Sequence, residues 1–188
     1  MPAACPRERP LIVGVLLAAG SATRFGADKL VQSLPDGTPL AVAAGRALLA
    51  GVDRGVVVVR SADAPPARLL AELGFQVVIA AEAQRGMGHS LAAGVAASAD
   101  AAGWLIALAD MPLVRPQTVA ALAERLRQGS ALVAPVYGGR RGHPVGFGRA
   151  YRERLLRCHG DQGARQLLTR DAARLQLLAV DDPGVLQD

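Results

Sequence analysis

Lysine occurs once in this 188-residue chain, at Lys29, although lysine and arginine together number 21. Arginine therefore supplies nearly all the positive charge, and the one lysine stands at the end of a small, Gly-containing loop. A lysine there is a compact point charge rather than a planar fork, which suits a phosphate held in a tight backbone loop. Cysteine is almost as scarce. Cys5 and Cys158 exclude a disulfide framework and a four-thiolate metal site, and a reducing cytoplasm is the default compartment. Aromatic residues make up only 3%, leaving few platforms for base stacking. The arginines are scattered, with no long basic run. Nucleic acid is thus a poor partner despite a net charge of +5, and that charge suits small anionic ligands instead. No apolar run approaches the roughly 18 residues of a membrane span. No His/Cys cluster offers a zinc site, and no Ser-His-Asp set offers a nucleophile. With 51% hydrophobic and 20% charged residues, the chain has the composition of a folded protein.

Its length favours one domain over residues 11–188, preceded by a flexible tail over 1–10 that holds three prolines. Arg7 and Arg9, then Leu11 to Ala19, then Gly-Ser-Ala have the outline of a signal peptide. The apolar run is short, however, and leads straight into the Arg24–Lys29 loop. A first strand buried on both faces explains the same pattern. Further strands are expected at 55–60, 75–80, 104–109, 131–136, 144–147 and 175–180. Helices are expected at 39–51, 65–73, 87–99, from Pro116, and at 151–158 and 163–169. Gly74 stops the second helix, and Val119, Leu122, Ala123 and Leu126 give the fourth an apolar face. Residues 138–142 read as a turn or loop. Alternating strands and helices argue a three-layer α/β/α sandwich on a mainly parallel sheet. Ligands of such sheets bind past the carboxyl ends of the strands.

Three segments fall on that edge. Leu17-Ala18-Ala19-Gly20-Ser21 through Arg24 to Lys29 offers small residues whose amides can approach phosphate oxygens, with two cations beside them. It is neither G-x-x-x-x-G-K-[ST] nor G-x-G-x-x-G. Arg85-Gly86-Met87-Gly88-His89-Ser90 opens a helix, and its amides and the Ser90 hydroxyl can bind an anion or a base edge. Asp110 ends a strand and precedes Met111-Pro112; such a carboxylate is placed for Mg²⁺, which takes few protein ligands. Gly142-His143-Pro144-Val145 and Gly160-Asp161-Gln162-Gly163-Ala164-Arg165 are two more polar, Gly-bearing loops.

Taken in order, these motifs resemble the MobA-like nucleotidyltransferase family, and most its molybdenum cofactor cytidylyltransferase branch. The resemblance runs from residue 14 to the end of the sequence. It implies a Rossmann-like nucleotidyltransferase fold. It implies Mg²⁺-dependent transfer of a nucleoside monophosphate from a nucleoside triphosphate to a phosphorylated acceptor. By motif position, Leu17, Ala18, Ala19, Gly20, Ser21, Arg24 and Lys29 would hold the triphosphate and base, with Gly86, Gly88 and Ser90 beside the nucleoside. Lys29, Arg24 and Asp110 would carry the catalysis, with Asp110 holding the metal. His143, Asp161 and Arg165 would face the acceptor.

The pair Ala19-Gly20 resembles the cytidylyl branch, whereas the guanylyl branch tends to have two glycines there. The implied acceptor is then a molybdopterin, with a molybdenum enzyme or its maturation chaperone as a further partner. The family often has an Asn before the Gly-Met-Gly turn; here Glu82 is the candidate base reader. Relatives often continue with an Asp-Ile-Asp-Thr-Pro segment, and Asp188 matches its first acid as a second candidate metal ligand. Competing readings are a guanylyl- or sugar-nucleotidyltransferase, an oxidoreductase on the same fold, and a non-catalytic chaperone for a molybdenum enzyme.

Overall fold

The computed structural model describes residues 9–20, 29–160 and 164–187. Its centre is β1 (Ile12–Leu17), in which every residue is buried. β1 lies between two parallel neighbours, β2 (Arg54–Val59) and β4 (Gly103–Leu108). Burial on both faces is why these strands read as unbroken apolar runs and not as alternating patterns. The signal-peptide-like run is therefore the core strand of the sheet. β3 (Gln76–Ile79) extends the sheet beyond β2, again in parallel.

On the other side the direction reverses. β7 (Val145–Gly148) pairs antiparallel with both β4 and β5 (Leu132–Tyr137), and β8 (Leu175–Ala179) runs parallel to β5. The segment expected to be a turn or loop is the turn of a hairpin, followed by a short strand. Gly138 and Gly139 take positive φ, 54° and 76°, which lets two residues reverse the chain. The next two residues form β6 (Arg140–Arg141) against the end of β5. β6 and β7 thus run back along one edge of β5, interrupted at Gly142–Pro144.

Helices cover both faces. α1 (Leu40–Leu49), α2 (Pro65–Glu72) and α4 (Pro116–Arg127) pack on one side. α3 (Met87–Ala96), α5 (Arg152–Leu156) and α6 (Arg165–Arg170) pack on the other. The layering is the expected α/β/α sandwich. Val119, Leu122, Ala123 and Leu126 of α4 are all buried, as their spacing requires. Several helices are shorter than their apolar runs because their last residues turn off into the loops. Gly94 lets α3 lie close on the sheet: a Cβ there would sit 2.5 Å from Val15 Cγ1.

Two polar ties fix the end of the sheet remote from the carboxyl edge. Asp53 accepts from the Ile12 amide at 2.8 Å and from Arg127 of α4 at 2.9 Å. Burial alone would push its carboxyl up, but the amide and the guanidinium outweigh that and hold it below the usual carboxylate range. Trp104, fully buried in β4, donates its Nε1–H to Ser98 Oγ at 2.9 Å. Among the described residues no helix is long and apolar enough to cross a membrane.

Candidate active site

β1 and β4 end side by side, with Leu17 opposite Leu108. Past them the chain stays knitted to the sheet for one residue on each strand: the Ala18 amide donates to Val58 O at 2.9 Å and the Ala109 amide to Leu17 O at 3.1 Å. The Ala18 N–H is thereby spent within the fold and is not offered to a phosphate. Ala18 and Ala19 are buried, and Gly20 emerges at the surface. Lys29–Val31 is a single 3-10 turn anchored by buried Leu30. That anchor aims Lys29 back along the edge. Its Nζ lies 3.6 Å from Asp110 Oδ2, with side-chain exposures of 38% and 34%. The lone lysine and the acid just past the end of β4 therefore meet at the carboxyl edge, each about a third exposed to solvent. Ser21, Arg24, Asp161 and Asp188 lie outside the described residues.

Among the described residues no three His, Cys, Asp or Glu side chains cluster. A carboxylate about a third exposed, outside any such cluster among the described residues, fits a hydrated hard cation shared with phosphate oxygens and does not fit an enclosed metal cage. Asp110 is the described residue that would hold such an ion.

The loop after Asp110 is fastened from far along the chain. Asp182, 1% exposed, accepts from the Arg115 amide at 2.9 Å, the Thr118 hydroxyl at 2.7 Å and the Gly184 amide at 3.0 Å. The 3-10 strap Pro183–Leu186 then passes under Leu113, where a Cβ on Gly184 would lie 2.0 Å from Leu113 O. The same strap takes the His143 amide on Val185 O at 2.9 Å. It thus ties the Asp110 loop to the Gly142–Pro144 break. Sequence reasoning overlooked Asp182, although an acid directly before a proline is a start signal for a helical turn.

On the α3 side, Gly86 has φ 122°, a conformation that favours glycine. Gly88, expected beside the nucleoside, serves packing. Its amide donates to Gly160 O at 2.8 Å, and a Cβ would lie 2.6–2.7 Å from the His159 backbone. Ser90 is 3% exposed in the first turn of α3, so its side chain is buried rather than presented at the surface. Glu82 is exposed and pairs with Arg85 at 2.5 Å; that guanidinium holds its carboxyl below the ordinary value.

The expected acceptor residues are split between the two faces. His143 and Pro144 line a narrow cavity with Ala44 and Leu48 of α1 and Met111. Arg165 starts α6, exposed, on the opposite face.

Residues 14–176 match the model of the MobA-like NTP transferase domain, and the chain belongs to that family of nucleotidyltransferases. Two curated relatives align over nearly the full length of both partners. The chain is 31% identical to nicotine blue oxidoreductase of Paenarthrobacter nicotinovorans, covering 96% of this chain and 93% of that one. It is 29% identical to the purine catabolism protein PucB of Bacillus subtilis, covering 95% and 91%. Among solved structures, Rv0371c of Mycobacterium tuberculosis superposes with a TM-score of 0.79 at 27% identity, covering 92% of this chain and 89% of that one. The same protein in complex with manganese gives 0.74 at 26% identity, covering 90% and 88%. A nucleotidyl transferase from Methanothermobacter gives 0.78 at 25% identity, covering 94% and 91%. Fold and family agree, and the protein is a nucleotidyltransferase by both.

Proposed function

We propose that the protein transfers CMP from CTP to the phosphate of a molybdopterin-type acceptor, releasing pyrophosphate, with Mg²⁺ as its metal. The observation that carries this reading is the meeting of Lys29 and Asp110 at the carboxyl edge. An oxygen of the acceptor phosphate attacks the α-phosphorus of CTP, and the bond from that phosphorus to the β-phosphate bridging oxygen breaks. The electron pair leaves with pyrophosphate. The attacking oxygen is already anionic near neutral pH, so no general base is required. The barrier is electrostatic, since two anions must meet and a third must depart. Lys29 offsets that charge from a position set before the reaction begins. A divalent ion on Asp110 would supply further neutralisation of the phosphates. Ala19, buried at the end of the first strand motif, narrows the base side by one methyl relative to glycine and favours a pyrimidine.

A second reading is an oxidoreductase, favoured by the name of the 31% identical relative. Pyrophosphate release separates the two, measured with CTP, GTP, ATP and UTP, each with and without molybdopterin. Release that needs the acceptor and is fastest with CTP is expected. Faster release with GTP moves the assignment to guanylyl transfer. No release with any triphosphate, together with a flavin or nicotinamide absorbance in the purified protein, overturns it in favour of redox chemistry.

A further inference from the structure

The hairpin at Gly138–Gly139 presents two adjacent arginines that the site above does not use. Arg140 and Arg141 are exposed. Neither pairs with a carboxylate among the described residues, whereas Arg54, Arg127 and Arg154 all do. Two neighbouring guanidiniums without acids repel one another, and each keeps its donor fork free for an incoming anion. Their base is clamped. The Gly142 amide donates to Pro135 O at 2.9 Å and the His143 amide to Val185 O at 2.9 Å. A Cβ on Gly142 would sit 2.2 Å from Val185 O, so the strap leaves no slack there.

Register assigns the two arginines to different faces. Arg141 lies opposite Val136 and Arg140 opposite Tyr137. Leu132 and Ala134, on the Val136 face of β5, pack in the layer formed with α3, α5 and α6. Arg141 is therefore on the face that carries the Gly86–Ser90 turn and Arg165. Tyr137 packs toward the α1 and α4 layer, and Arg140 shares that face. The strand order runs β3-β2-β1-β4-β7-β5, and at the carboxyl edge β6 continues the line of β7 beside β5, since β8 takes the other edge of β5. Lys29 and Asp110 stand at β1 and β4. The hairpin is thus across Asp110 from the Gly86–Ser90 turn. Of the two arginines, Arg141 shares the face of the Gly86–Ser90 turn, on the β6 side of a triphosphate held at β1 and β4.

We propose that Arg141 binds the anionic group of the acceptor substrate, a phosphate ester, and that Arg140 does not. The inference rests on the nucleotidyl-transfer reading above. The test is steady-state pyrophosphate release with CTP and molybdopterin for Arg141→Ala and Arg140→Ala. Arg141→Ala is expected to raise the acceptor KM by about 10- to 100-fold, the loss of a charge-assisted contact, with the CTP KM unchanged. Arg140→Ala is expected to leave both constants within about twofold of wild type, as for an exposed side chain away from such a contact. Equal effects of the two variants would mean a diffuse field in place of a contact and would overturn the assignment, as would an unchanged acceptor KM in Arg141→Ala. A second arm does not depend on turnover. Inorganic phosphate is titrated into the ¹⁵N-labelled protein while the arginine Nε–H signals are followed. If the wild type releases no pyrophosphate, the reaction assignment falls. The anion site then stands if the Arg141 signal shifts ahead of that of Arg140, and falls if neither moves.

Discussion

Replacing Lys29 by methionine keeps much of the side-chain length and removes the charge. At 3.6 Å, two unit charges in water attract by about 1 kcal/mol. Both partners are roughly a third exposed, so entropy and screening hold the net contribution at or below about 1 kcal/mol. In a chain of this length that corresponds to a fall in Tm of about 2–4 °C at most. A cation aimed at developing transition-state charge is worth far more, about 10²- to 10³-fold in turnover. Lys29→Met should therefore stay folded by calorimetry while losing nearly all pyrophosphate release. A third measurement moves the other way. Without the ammonium beside it, Asp110 should bind Mn²⁺ alone more tightly, by no more than about fivefold for 1 kcal/mol, as read by titration calorimetry in the absence of nucleotide. Turnover within a few-fold of wild type would remove Lys29 from the chemistry. A loss of more than about 10 °C in Tm would make it a structural residue, because a partly exposed pair cannot supply that much.

Asp182→Ala should cost about 3–5 kcal/mol, read from the urea midpoint, because three donors lose one buried carboxylate; a change under about 1 kcal/mol would show that water replaces it. Asp53→Asn should be less stable than wild type at pH 7. Since the Asp53 carboxyl titrates below its unfolded value, its contribution is complete above about pH 4–5 and fades as pH falls through the folded-state value, so the gap should narrow on acidification in urea melts; a gap that widens would refute the sign. Gly88→Ala should destabilise by about 1–3 kcal/mol, since the new methyl meets His159 backbone and not a yielding side chain; an unchanged Tm would mean that the two turns part freely.

The layered fold was legible because its strands are buried on both faces and its helices carry apolar stripes. Ile12–Leu17 and Val119–Leu126 declare their environment residue by residue. At 138–142 the glycines announced a turn or loop, but the strand Arg140–Arg141 was hidden because two residues are too few to show a pattern. The convergence of Lys29 with Asp110 followed from placing both after strands that proved adjacent. What composition could not convey is which small residue serves packing and which serves a ligand. Gly88 and Ala18 share the motif look of Gly86 and Gly20, yet the space beside one is filled by His159 and the amide of the other is spent on Val58. Nor does any local pattern predict that Asp182 would reach back to Arg115 and Thr118, since that tie depends on how β5, β8 and α4 stack.

The chain has one tryptophan, and it sits near the start of β4, about 13 Å along the strand from Leu108 at the carboxyl edge. Its indole is sealed from solvent and tethered to Ser98. Intrinsic fluorescence is therefore a clean reporter of global unfolding and a blind one for occupancy at the opposite edge. Ligand titrations followed by emission would return flat curves from a fully binding-competent protein.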